Sequence, residues 1–246
     1  MIPAKKNGWF LRWFSGVARS RIRRTFQFVH IRGVERLRAL VAQPVLLVSN
    51  HTAFWDPLVA IWLTNFVAKT DSYALMDAKN LRRLPFFRIT GAFGVDLDAP
   101  RDGGIGIRYA ARLLRQPKTL VWIFAQGDER VVTERPLNFR AGAAAVARLA
   151  PDARVLPLAL RYEFGNTERP ELHINVGEPL AREADVETAR ATQEAAVTAL
   201  LDELDRLLID KVQPPAHELF LRHRPSALAR WAEWWLAQLT RAGTPR

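Results

Sequence analysis

The chain of 246 residues reads as an α/β protein: a mixed, largely parallel central sheet flanked by helices, with amphipathic helices at the N- and C-terminal ends. Three observations lead there. Short apolar runs alternate with helical stretches along most of the chain, and parallel strand neighbours need such crossovers. A composition of 49% hydrophobic and 25% charged residues provides a sizeable core and excludes a disordered chain. No apolar run approaches the roughly 20 residues of a membrane-spanning helix.

Charge organises the first element. Residues 1–40 hold ten Lys/Arg against the single acid Glu35, so this stretch carries +9 of the chain's +11. The remaining 26 Lys/Arg nearly cancel 24 Asp/Glu. A terminal segment of this kind suits an anionic surface. Its arginines are interleaved with Trp9, Phe10, Trp13, Phe14, Phe26 and Phe28. On a helix, Phe10, Trp13, Phe14, Val17 and Ala18 share one side and Arg12, Arg19 and Arg23 the other, while Arg21 and Arg24 fall towards the apolar side and must snorkel. The expectation for residues 1–30 is a membrane-associating helix lying in an anionic membrane surface, since a nucleic-acid arm rarely needs so much apolar area. The alternative reading of the same pattern is a helix packed on its own domain with a solvated basic face. No signal-peptide core stands near residue 1, and the expected location is peripheral, on the cytoplasmic face of the cell membrane.

Strands are then expected at Val45–Ser49, Ser72–Met76, Gly94–Leu97, Thr119–Phe124, Val155–Arg161 and Leu172–Val176, each a short apolar or β-branched run. Helices are expected at Pro57–Ala68, Gly104–Arg115, Ala141–Leu149 and Asp185–Lys211. These elements make up an α/β domain over residues 31–212. Pro214-Pro215 opens a helical tail, residues 213–246, in which Leu228, Trp231, Ala232, Trp235 and Leu239 share one side.

The absence of cysteine rules out a disulfide framework, a thiolate metal site and a cysteine nucleophile. His51 follows the Val45–Ser49 strand and Asp56 comes five residues later. Taken alone, Asp56-Pro57 equally describes a helix N-cap with proline at the first helical position. Position favours chemistry: the carboxyl end of a central strand is where open α/β sheets bind ligands. There Asp56 would orient the imidazole of His51, leaving its other nitrogen to take a proton from a hydroxyl. No serine stands in a G-x-S-x-G elbow, so the nucleophile would be the substrate's own hydroxyl. A second loop, Gln126-Gly127-Asp128-Glu129-Arg130, follows the apolar strand at Thr119–Phe124 and should emerge on the same sheet edge. Gly127 there allows positive φ or close approach.

Asn50-His51-Thr52-Ala53-Phe54-Trp55-Asp56 resembles the N-H-x-x-x-x-D box of the glycerolipid acyltransferases, the glycerol-3-phosphate and lysophosphatidate acyltransferase group. Phe124-Ala125-Gln126-Gly127 is similar to that family's F-P-E-G-T-R box, and Phe139-Arg140-Ala141-Gly142-Ala143 to its F-K-x-G-A stretch. Gly91-Ala92-Phe93-Gly94-Val95-Asp96 resembles the G-x-x-F-I-x-R block, and Val155-Leu156-Pro157-Leu158 the V-P-V strand. The resemblance implies a His51–Asp56 catalytic base, an acyl-CoA or acyl carrier protein thioester as donor, and a lipid acceptor drawn from a membrane. It implies no metal and no cofactor beyond that co-substrate. It also implies that Gln126, Gly127, Asp128 and Arg130 shape the acceptor side, and Arg101 is a further candidate there, as a replacement for a family arginine that this chain lacks.

The departures bear on the acceptor. Leu97 stands where the family has the arginine of its second box. In the third box Gln126 replaces glutamate, Asp128 replaces threonine and Glu129 replaces arginine, with Arg130 one place late. A bare phosphate needs charge-assisted donors, so an acceptor without a phosphomonoester beside its hydroxyl is expected. Two other readings compete. Asp96-Leu97-Asp98 resembles the D-x-D of metal-dependent glycosyltransferases, although such pairs usually make a turn or cap. A membrane-surface lipid carrier would use the same basic helix and apolar groove without turnover. His30, His173, His217 and His223 have no ligand-like spacing and are expected to be structural.

Overall fold

The computed structural model describes residues 1–96 and 98–223. Its elements run α1 (Gly8–Thr25), β1 (Phe28–Arg32), α2 (Val34–Leu40), β2 (Val45–Ser49), α3 (Asp56–Trp62) continuing as a π-helical stretch (Leu63–Ala68), β3 (Asp71–Asp77), α4 (Ala78–Arg83), α5 (Phe86–Thr90) and β4 (Ala92–Val95). There follow α6 (Pro100–Leu113), β5 (Thr119–Phe124), α7 (Gly142–Leu149), β6 (Arg154–Glu163), β7 (Glu171–Val176), α8 (Val186–Ile209) and β8 (Leu219–Arg222). The strands form one sheet of eight in the order β4-β3-β5-β2-β6-β7-β1-β8. Among the strands of the described residues, the β6–β7 and β1–β8 pairings are antiparallel and the others parallel.

β2 and β5 lie in the middle of the sheet and are covered on both faces, which is why their sequences run apolar without alternation. Val45, Leu47, Leu120, Trp122, Leu156 and Leu158 face one side, where Ile22 of α1, Leu37 of α2 and Val59 and Trp62 of α3 pack. Leu46, Val48, Val121 and Ile123 face the other, against Ala110 of α6, Val146 of α7 and Val197 and Leu201 of α8. Trp122 is 1% exposed; truncating a core aromatic of this kind costs about 3–5 kcal/mol.

Several elements depart from the sequence reading for identifiable reasons. The helix expected over Pro57–Ala68 changes to π geometry at Leu63. The Thr64 hydroxyl and the Asn65 amide take the carbonyls of Ala60 (2.7 Å) and Ile61 (2.8 Å), displacing the regular ladder. The strand expected at Gly94–Leu97 is shifted to Ala92–Val95. Asp102, in the first turn of α6, takes the Asp96 N–H at 2.7 Å, and α6 begins at Pro100 rather than Gly104. Asp185 is the N-cap of α8, accepting from Thr188 N–H at 2.9 Å.

The sheet also runs past both boundaries drawn for the α/β domain. β1 begins at Phe28 inside the basic segment, and β8 lies within the segment expected to be a helical tail, paired with β1. At the other edge Ile2 bridges Gly94 of β4. The apolar side expected around Leu228, Trp231 and Trp235 lies outside the described residues.

Helix α1 packs on its own domain, as the second reading offered for it expects, along part of its length. It buries Ser15, Ala18 and Ile22 in the domain, while Trp9 and Trp13 stay exposed at its N-terminal end. Arg21, on the apolar side, settles over the Trp55 ring at 5.5 Å instead of reaching past it.

Candidate active site

The parallel register of β2 and β5 sets Ser49 beside Phe124, so the loops that follow both strands leave the sheet together. Asn50 ends β2 by replacing a backbone rung with its side chain: Nδ2 donates to Leu160 O (2.9 Å) and Oδ1 accepts from Leu160 N–H (2.8 Å). His51 is held next. Its N–H donates to Gln126 Oε1 at 2.7 Å and its carbonyl accepts from Arg130 N–H at 2.9 Å. Its ring lies against Phe124 with centroids 4.6 Å apart.

Asp56 Oδ2 is 2.6 Å from His51 Nδ1 and also accepts from the N–H groups of Thr52 (2.7 Å) and Ala53 (3.1 Å). The Tyr162 hydroxyl donates to Oδ1 at 2.5 Å. This carboxylate is fully buried, and four donors offset its desolvation. The capping role open to Asp56 in the sequence is not the one it plays: Trp55 occupies the N-cap position, and the Asp56 side chain is spent on the loop before it and on the imidazole. Burial, and then the neighbouring Asp56 carboxylate, push the Tyr162 phenol well above its usual value of 10, keeping it a donor.

With Nδ1 committed to Asp56, Nε2 is the other ring nitrogen of His51, 4.0 Å from Glu129 Oε1. His51, Phe124, Gly127 and Glu129 form one end of a cavity of about 300 Å³. The rest of the lining is mostly apolar, including Leu58, Ile61, Leu75, Met76, Phe86 and Phe87, with Arg21, Asp77, Asn80 and Arg83 also on it. Two hydroxyls in that lining are already satisfied, since Ser72 donates to Thr64 Oγ1 (2.9 Å) and Thr64 to the Ala60 carbonyl. An apolar chain placed against them strands neither hydroxyl. Phe14 of α1 lines the same cavity and stacks on Phe10, which meets the exposed Trp13. Phe54, 61% exposed, also lines it.

The residues expected to shape the acceptor side divide. Gln126 is 1% exposed and positions the His51 backbone. Gly127 has φ +82°, a backbone conformation that favours glycine, and a Cβ there would also press on the Arg140 side chain, 2.6 Å from Nε. Asp128 is exposed and pairs with Arg140 at 3.3 Å. Arg130 turns to Glu134 at 2.8 Å and is not among the cavity's lining residues. Arg101, exposed in the first turn of α6, is not among them either. Leu97, at the second-box arginine position, lies outside the described residues.

Two residues outside that set are brought to the histidine: Tyr162 beneath Asp56, and Glu129, whose Oε1 is 4.0 Å from His51 Nε2. Glu129 was visible in sequence as the charge replacing the family's arginine. Tyr162 had no local signal, being 106 positions from its partner. The D-x-D pair forms a turn, with Asp98 N–H donating to Asp96 Oδ1 (3.1 Å) and Asp98 paired to Lys79 (3.0 Å).

Comparison with known proteins agrees with this layout. No curated protein matches the chain. Among solved structures, the fold resembles the crystal structure of the 1-acyl-sn-glycerophosphate (LPA) acyltransferase PlsC from Thermotoga maritima, with a TM-score of 0.57 and 16% identity over 79% of each chain. A family model described as acyltransferase matches residues 28–161, more than half of the sequence and a span holding both loops at the histidine. The chain belongs to the acyltransferase family.

Proposed function

We propose that this protein transfers a fatty acyl group from an acyl thioester, acyl-CoA or acyl carrier protein, to a hydroxyl of a lipid acceptor by His–Asp general-base catalysis. The observation that carries the proposal is the 2.6 Å contact between His51 Nδ1 and a fully buried Asp56 at the end of an apolar cavity. In the reaction, His51 Nε2 takes the proton of the acceptor hydroxyl as its oxygen attacks the thioester carbonyl. The C–S bond then breaks, and the leaving sulfur receives the proton held by the imidazolium, giving an ester and a free thiol. Asp56 fixes the tautomer and stabilises the imidazolium. The thioester is already activated, so this chemistry calls on no metal. The cavity suits the acyl chain.

The acceptor is a lysolipid or related glycerolipid whose hydroxyl need not neighbour a phosphomonoester. Arg130 pairs with Glu134, and neither it nor Arg101 lines the cavity. The arginines that do, Arg21 and Arg83, form no hydrogen bond with His51, and a carboxylate stands beside Nε2. Access is from a membrane surface. Among the described residues no helix is long and apolar enough to cross a bilayer. The exposed Trp9, Trp13 and Phe54 instead give the cavity an apolar approach flanked by the arginines of α1. This supports peripheral association with the anionic cytoplasmic face.

The test is release of CoA thiol from acyl-CoA in the presence of monoacyl lipid acceptors. His51→Ala should lower the rate about 10²–10⁴-fold with its melting temperature retained. Full activity in that variant overturns the mechanism. Lipid binding by the wild type without any thiol release would leave a lipid carrier, and a clear preference for lysophosphatidate would overturn the acceptor assignment.

A further inference from the structure

The charge next to the catalytic nitrogen deepens the proposed acyl transfer and rests on it. Glu129 Oε1 stands 4.0 Å from His51 Nε2, its side chain is 58% exposed, and it lines the cavity end where the acceptor hydroxyl must arrive. Among the described residues it has no Lys or Arg ion-pair partner. Arg130 pairs with Glu134, Arg140 with Asp128, and Arg21, which also lines the cavity, lies over Trp55; Arg83 is the other basic residue of the lining and forms no ion pair with Glu129. Water solvates this carboxylate in the open site, but its place on the cavity beside Nε2 means that a lipid closing the site displaces that water, and an ammonium then satisfies it better than a neutral group does. The same carboxylate repels a phosphomonoester brought to Nε2.

We infer that Glu129 selects the acceptor, favouring lipids that carry an ammonium group close to the acylated hydroxyl. An ammonium about one residue's reach from the hydroxyl would bridge Glu129 while the hydroxyl donates to His51. Two lipid sources offer that chemistry: an aminoalkyl phosphodiester and a phosphate-free aminolipid.

Matched acceptor pairs distinguish them. One pair is a monoacylglycerol analogue whose terminal hydroxyl is replaced by dimethylamino, against its methoxy counterpart. The other is lysophosphatidylethanolamine against its N-acetyl derivative. Rates are read as thiol release, with the ester product confirmed by mass spectrometry. The wild type should favour the cationic member of at least one pair by about tenfold in kcat/KM, the pair concerned identifying the source. Glu129→Gln should erase that advantage, and Glu129→Arg should shift turnover towards lysophosphatidate. An advantage absent in both pairs, or surviving intact in Glu129→Gln, overturns the assignment while leaving acyl transfer standing. Absence of thiol release with every acceptor overturns acyl transfer itself, and the selectivity with it. Because the Glu129 side chain is largely solvated, circular dichroism and melting temperature should be unchanged in both variants.

Discussion

Asp56 concentrates the chemistry of the site in one side chain. It is fully buried, and its charge is met by an imidazole, two backbone N–H groups and a phenol. Each donor removed should therefore register twice, in stability and in rate. Tyr162→Phe deletes the bond to Oδ1 while keeping the ring between Phe26 and the strand. The expected loss is about 1–3 kcal/mol of unfolding free energy, measured by urea titration, and a fall in kcat of about tenfold with KM little changed. A kcat equal to wild type would show that the phenol serves only packing. At this scale the sequence is informative where partners are local: His51 and Asp56 lie five positions apart, and their place after a central strand, with the N-H-x-x-x-x-D resemblance, is what pairs them. Tyr162 arrives from β6, and no spacing rule brings a residue across the sheet.

Elements were legible in proportion to how plainly burial wrote their pattern. β2 and β5 have the bounds expected of them because double coverage leaves an unbroken apolar run between polar ends. β1 was concealed. Its Phe-Val-His-Ile-Arg alternation is only five residues long and sits inside a segment dominated by arginine, which drew attention to charge rather than to period. In α1 the apolar stripe was real but serves two surfaces: Ala18 and Ile22 belong to the core, and Trp9 and Trp13 do not. That division yields a test. Trp9→Ala with Trp13→Ala removes exposed ring area without touching the buried side, so the melting temperature should hold. Sedimentation with anionic vesicles should weaken about tenfold or more, since interfacial binding scales with inserted apolar area. Binding by the wild type should also fall between low salt and about 0.5 M, where surface charges are screened. Undiminished binding in the double variant would place the membrane contact elsewhere.

The whole sheet is built in two orientations: β1 and β7 run against the central strands, which places His30 level with His173 in their parallel register. The two rings stack 5.1 Å apart, with the Glu171 carboxylate 3.4 Å from His173 Nε2 and 4.0 Å from His30 Nε2. The sequence placed these histidines in a structural role but could not pair them, because β1 was not seen as a strand. Burial, reinforced by the charge of His173, lowers the His30 pKa to about 4 from 6.5. Proton uptake by the unfolded chain therefore begins first. His30's contribution to stability is fully present above pH 6.5 and is lost as pH falls towards 4, below which both states are charged. Glu171, held below its ordinary 4.5 mainly by its hydrogen bond to His173, contributes stability of the same sign that disappears at still lower pH. Chemical denaturation at pH 7 and pH 4 should show a loss of about 2 kcal/mol attributable to His30, allowing for partial solvation of the ring. In His30→Gln, which has no group to titrate at that place, this part of the pH dependence should vanish while the decline below pH 4.5 remains. A variant whose stability profile still tracks the wild type through pH 5 would show that the buried stack does not set the acid limit of the fold.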